Sequence, residues 1–199
     1  MVAFDATTIS LFIHPGAKPP NDSQGQPVTR CQERIEYLIQ TLQQKKEKII
    51  IPTPSLSEVL VVAGTAGPAY LTQLNDSARF KICPFDEKAS VEAAIAIRKA
   101  LSLLPKGAKK SGASTWAKVK FDRQIVAISK VEGAHTIYSD DDDIKKYAAE
   151  VGIKVIGVAD LPLPPPKQMT LPTDAKPVSV AEVKDEGSPP EGKPHFEGE

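Results

Sequence analysis

Four consecutive aspartates, Asp140 to Asp143, sit inside the stretch HTIYSDDDDIKKY, one residue after the apolar Thr136–Ile137–Tyr138. Adjacent carboxylates repel one another, so such a run is either screened by water or offset by a cation. Three further acids occupy comparable places. Asp5 follows the apolar Val2–Phe4, Glu58 comes one turn into a helical pattern after Ile49–Ile51, and Asp122 lies one turn into the helical pattern before residue 135. Singly, each has an ordinary structural reading. Asp5 suits a turn or cap, Glu58 a favourable helix-dipole position, and Asp122 an ion pair with Lys118 or Arg123. The run itself suits a solvated helix start with Ser139 or Asp140 as N-cap. Together, oxygen-only ligands from separated segments suit Mg²⁺ or Mn²⁺. On that reading one or two carboxylates of the run are ligands and the others cap the helix that follows.

Other chemistries find little support. His14, His135 and His195 are not spaced for metal or triad work, and there is no Ser/His/Asp or Cys/His constellation. Cys31 and Cys83 match no metal spacing and are expected as free thiols in a reducing compartment, with Cys83 a small core residue. A phosphatase of the haloacid-dehalogenase type needs a second Asp two residues beyond Asp5, where Thr7 stands; dinucleotide binding needs a Gly-rich turn after the first strand, which is missing. Substrate cations are present. Lys106, Lys109, Lys110, Lys118, Lys120 and Arg123 fall within 18 residues that contain one acid, Asp122. This stretch is expected to track a phosphate backbone, with Trp116 stacking a base. The competing reading is a solvated loop whose Trp packs on the domain.

The elements that must position these groups alternate in type. Strands are expected at Val2–Phe4, Ile49–Ile51, near Phe80–Pro84, at Thr136–Tyr138 and at Lys154–Val158. Between them, helical patterns run through Ile35–Leu42, Leu56–Val62 (Thr53 as cap, Pro54 as first residue) and Pro68–Asn75. Further patterns follow a cap at Asp86, with Val91, Ala94, Ile95, Leu101 and Leu104 on one face, and cover Lys118–Glu132 and Asp142–Val151. The alternation implies a three-layer α/β/α fold with a central, mainly parallel sheet of about five strands. Ligands of such sheets collect outside the carboxyl ends of the strands, where these acids fall.

The 199 residues, 41% hydrophobic, suffice for one sizeable core. From Leu161 onward the chain carries nine of its 18 prolines and one aromatic, Phe196, so residues 1–160 are expected to fold and 161–199 to form a disordered tail. Lys+Arg and Asp+Glu are both 25, so no global field draws in polyanions. No apolar stretch approaches the roughly 18 residues of a membrane span, and MVAFDATTIS lacks the pattern of a secretory signal. The expected location is the cytoplasm.

The segments FDAT at 4–7, SLSE at 55–58, FDRQIVAIS at 121–129 and IYSDDDDI at 137–144 resemble the PIN-domain family of metal-dependent ribonucleases. Ser139, Asp141, Asp143 and Ile144 match the family's hydroxyl–acid–acid–aromatic pattern, with Ser for Thr and Ile for the aromatic. The resemblance implies a metal-binding quartet of Asp5, Glu58, Asp122 and Asp141, with Asp143 as an accessory acid and Thr7 and Ser139 as supporting hydroxyls. The register within the run is open by one residue, so Asp140 and Asp142 are alternatives. It further implies Mg²⁺- or Mn²⁺-dependent endoribonuclease activity, in which the ion lowers the pKa of a water and neutralises charge on the leaving 3′ oxygen. The alternative is the same fold as a catalytically idle RNA- or protein-binding module. An RNA substrate, an antitoxin protein and a second copy of the chain are the partners the resemblance suggests. The long loop 14–29, the Lys/Gly-rich loop 105–117 and the tail depart from small toxin-type members.

Overall fold

The computed structural model describes residues 1–14, 16–102 and 113–166, and for 113–118 the backbone only. Five strands follow in chain order: β1 (Val2–Phe4), β2 (Ile49–Pro52), β3 (Phe80–Cys83), β4 (Thr136–Tyr138) and β5 (Lys154–Ile156). They form one parallel sheet in the order β3-β2-β1-β4-β5, with Val2 level with both Ile49 and Thr136. The helices are α1 (Ala6–Ile13), α2 (Cys31–Gln44), α3 (Thr53–Ala63), α4 (Gly67–Asn75), α5 (Glu87–Ser102), α6 (Ala113–Val131) and α7 (Asp142–Glu150).

Strand side chains alternate between two cores, as a period of two requires. Val2, Phe4, Ile49, Ile51 and Tyr138 join Ile9, Ile35, Leu38, Leu56 and Leu74 of α1 to α4 on one face. Ala3, Ile50, Cys83 and Ile137 join Ala89, Ile125, Ile128, Ile144 and Ala148 of α5 to α7 on the other. Both faces are therefore covered, and the apolar runs of the strands are buried on both sides. This is the three-layer α/β/α arrangement expected from the alternating pattern.

Several local expectations change. Between β1 and the loop at 14, the segment ATTISLFI is a helix, started by Asp5 and closed where the His14 N–H donates to the Ser10 carbonyl at 2.8 Å. Thr53 does not cap α3; Pro52 holds that position, and the Thr53 hydroxyl accepts from the Phe85 N–H at 3.3 Å. Helix α6 starts at Ala113, so Asp122 sits near its middle, not in its first turn. Asp86 does cap α5, accepting from the Ala89 N–H at 2.9 Å. The face expected to be buried on α5 is outward: Val91 and Ile95 are exposed, while Ala89 and Ala93 pack inward. Leu104 lies outside the described residues.

A compact unit spans Met1–Pro165. Leu161, assigned to the tail by composition, is buried in the first core. The Arg34 guanidinium donates to the carbonyls of Ala159 and Leu161, which fixes the chain there. Composition misses this because one buried leucine among prolines does not alter a window average. The remainder of the expected tail, 167–199, lies outside the described residues. No described helix is long and apolar enough to cross a membrane.

Candidate metal centre

Strand order reverses between β1 and β4, because the chain builds outward from β1 through β2 to β3 and then resumes on the opposite side. Such a reversal opens a crevice at the carboxyl ends of the two strands. Asp5 leaves β1 there, and Ser139 and Asp141 leave β4. Glu58 comes in from α3 and Asp122 from α6. All four acids, Asp5, Glu58, Asp122 and Asp141, line one cleft of about 390 Å³, with Ala6, Thr7, Phe121, Ile125 and Ile144 completing its walls.

The loops holding Asp5 and Asp141 are tied together. The Asp5 N–H donates to the Tyr138 carbonyl at 3.2 Å, and the Asp5 carboxylate accepts from the Thr8 N–H at 2.8 Å as the cap of α1. Ser139 is fully buried; its hydroxyl accepts from the Asp141 N–H at 3.1 Å and bonds to the Asp5 carboxylate. Ser139 thus stands between the Asp5 carboxylate and the backbone of Asp141. Thr7 lines the cleft wall. The neighbouring Thr8, which sequence reading did not single out, is the buried hydroxyl, donating to the Tyr138 carbonyl at 2.9 Å. Its signal was available in the helix register, since an Asp N-cap takes the N–H three residues on.

The four aspartates of the run go four ways. Asp140 turns toward the segment after β5, where its Oδ1 accepts from the Val158 N–H at 2.9 Å. A Cβ at Gly157 would stand 2.8 Å from that oxygen, so glycine admits the carboxylate there. Asp141 caps α7, accepting from the N–H groups of Asp143 at 2.8 Å and Ile144 at 3.3 Å, while also lining the cleft. Asp142 faces solvent and pairs with Lys145 at 3.1 Å. Asp143 meets Asp122 and Asp141: one carboxylate oxygen from each of the three lies within 4.8 Å of the others. Of the two alternative ligands within the run, Asp140 has a structural partner and Asp142 is turned to water.

Burial pushes the Asp5 carboxyl up to about 6, against the lowering effect of its hydrogen bonds with Ser139 and Thr8. Removing a carboxylate from water favours its protonated form unless an opposite charge stands by. The triad adds three carboxylates at close quarters, and its all-oxygen donor set is the kind that hard divalent cations select. The residues present therefore fit Mg²⁺ or Mn²⁺. Asp5 and Glu58 line the same cleft outside the triad.

The cations expected to bind substrate fare differently. Lys109 and Lys110 lie outside the described residues, as do the side chains of Trp116 and Lys118. Lys120 is exposed on α6. Arg123 departs from the expected substrate role. It is buried, stacked 4.0 Å over the Tyr147 ring and paired with Glu150 at 3.2 Å, so its charge joins α6 to α7 and is not offered to a phosphate. Both cysteines are buried free thiols, and burial pushes Cys83 up to about 11. His14 bonds the Tyr70 hydroxyl at 2.9 Å, and His135 bonds Thr136 and Glu47.

No family model matches the chain, and no curated protein matches it. Solved structures do. VapBC2 from Rickettsia felis, bound to a DNA fragment from their promoter, aligns at 16% identity and TM-score 0.48 over 79% of this chain and 98% of that one. Mycobacterium tuberculosis VapC20, a sarcin-ricin loop cleaving toxin, aligns at 12% identity and TM-score 0.46, covering 77% and 99%. DNA-bound VapBC from Salmonella typhimurium aligns at 12% identity and TM-score 0.48, covering 79% and 97%. The chain is similar to these structures over 77–79% of its length.

Proposed function

We propose that the chain is a Mg²⁺- or Mn²⁺-dependent endoribonuclease hydrolysing RNA phosphodiester bonds at this cleft. The observation that carries the reading is the meeting of Asp122, Asp141 and Asp143 within 4.8 Å, in a cleft that Asp5 and Glu58 also line. Asp122, Asp141 and Asp143 would hold the ion, with Asp5 and Glu58 completing the acidic wall. A divalent ion held there supplies a water of lowered pKa and neutralises charge on the departing oxygen. Ser139 holds Asp5 and Asp141 in fixed relation, and the cap of α7 holds Asp141 from the other side. The carboxylates are therefore oriented before anything binds, which is how a site avoids reorganisation during reaction. With water as nucleophile, cleavage leaves a 5′-phosphate and does not consume the RNA 2′-OH. Lys109, Lys110, Lys118, Lys120 and Trp116 remain the proposed backbone track. A partner protein that blocks the cleft with a basic side chain is the inhibitor this arrangement would accept.

The test is cleavage of end-labelled oligoribonucleotides in Mn²⁺. Asp5→Asn and Asp122→Asn are expected to lower the rate at least about a hundredfold, as loss of a group acting through a metal does. Equal rates in wild type and both variants would remove catalysis from this cleft.

A further inference from the structure

A second groove continues from the acidic cleft. It has a volume of about 490 Å³ and shares Ala6, Thr7 and Glu58 with the cleft. From there it runs over Ser10, His14, Gly16, Ala17 and Lys18 toward Val62. Thr7 and Ser10, three apart, share one face of α1, and His14, the C-cap of that helix, follows four residues later. That face carries the groove roughly 10 Å along the helix axis from the acids. The character of its walls changes over this distance, from carboxylates at one end to an imidazole and an ammonium at the other.

The far end is built. His14 is half-buried, with Nδ1 committed to the Tyr70 hydroxyl at 2.9 Å, which fixes the ring and leaves Nε2 as its remaining polar atom. A Cβ at position 16 would stand 3.3 Å from Nε2, so Gly16 keeps that nitrogen uncovered. Lys18 is exposed on the same wall. These groups come from the long loop after α1, which the family resemblance does not cover.

Resting on the ribonuclease reading, we propose that this groove seats the single-stranded RNA flanking the scissile bond. The Lys18 ammonium and the His14 imidazole take a backbone phosphate, and the Thr7 and Ser10 hydroxyls lie along the sugars. A strand whose scissile phosphate lies at the acids needs a continuation, and this groove opens directly from them. Its hydroxyls offer partners to the 2′-OH that separates RNA from DNA. The strand then runs along α1.

The experiment is binding of a fluorescein-labelled single-stranded RNA oligonucleotide to the full chain with Ca²⁺ in place of Mg²⁺, so that the strand stays intact, by anisotropy over a salt series, with a DNA strand of the same sequence in parallel. Lys18→Glu is expected to weaken RNA binding about tenfold at low salt and to flatten the salt dependence by close to one phosphate contact. Gly16→Val, which alters no charge, is expected to weaken binding by covering Nε2. Lys46→Glu, the same charge change beside Glu47 and Arg79 in a separate pocket, is expected to leave binding unaltered. Mn²⁺ affinity should be equal in all four proteins. If wild type binds RNA but Lys18→Glu and Gly16→Val bind as it does, the groove is not the path, while the metal reading stands. Equal losses in Lys18→Glu and Lys46→Glu reduce the effect to overall charge and also overturn the proposal. DNA bound as tightly as RNA overturns the role of the hydroxyls. A wild type that binds no RNA at all fails the ribonuclease reading itself.

Discussion

Asp5 shows how one residue carries opposed demands. Its carboxylate caps α1, where an acid is favoured, yet burial holds its pKa at about 6 against 3.8 in an open chain. Between those pH values the folded protein binds more protons than the unfolded one, so stability falls as pH rises through that window. The loss is complete above about pH 6 and amounts to roughly 3 kcal/mol for a difference of this size. Asparagine removes the charge and still accepts the Thr8 N–H, as a good N-cap does. Metal-free Asp5→Asn should therefore be more stable than wild type by about 1–3 kcal/mol at pH 8, and no more stable at pH 4. Urea denaturation in EDTA measures this, and a destabilised variant at pH 8 would contradict the buried charge.

At the level of elements, the junction between β4 and α7 explains why four acids stand together. Asp140 ties that junction to the turn after β5, Asp141 starts the helix, Asp142 faces water and Asp143 turns to α6. Asp140→Ala leaves the Val158 N–H without its acceptor and is expected to cost about 1 kcal/mol of stability. Asp142→Ala removes only a surface pair and should stay within about 0.5 kcal/mol. Equal effects in denaturation would show that the run is one undivided charged surface. The ends of β1 and β4 were legible from sequence because a short apolar run gives way to acids there, at once after Phe4 and after Ser139. The split of roles within the run was not, since a fourfold repeat of one letter carries no register. Helix α5 was misjudged for a related reason. Its larger apolar residues share a face at helical spacing, yet the helix buries Ala89 and Ala93, whose small side chains allow close approach. Arg123 was read as a substrate cation because sequence shows its charge and conceals Tyr147 and Glu150 from α7, which take it up.

Across the whole molecule, the sheet order decides where chemistry can occur. The reversal between β1 and β4 brings Asp5 and Asp141 side by side, and α3 and α6, on opposite faces of the sheet, bring Glu58 and Asp122 to the same cleft. That convergence was legible because the acids keep their places relative to the strand ends, even though Asp122 sits deeper in its helix than the pattern suggested. The groove along α1 was not legible, because it depends on a loop whose path no periodicity reports. The chain's formal charge of +0 makes local fields decisive: the Lys18 ammonium at one end of the groove, carboxylates at the other. Direct titration with Mn²⁺, following the electron paramagnetic resonance of the free ion near neutral pH, tests the shared-ion account most plainly. Wild type should bind the ion, Asp122→Asn and Asp141→Asn should each weaken it at least about tenfold, and Asp142→Asn should leave it unaltered. Equal affinity in all three variants, or no binding by wild type, would contradict it.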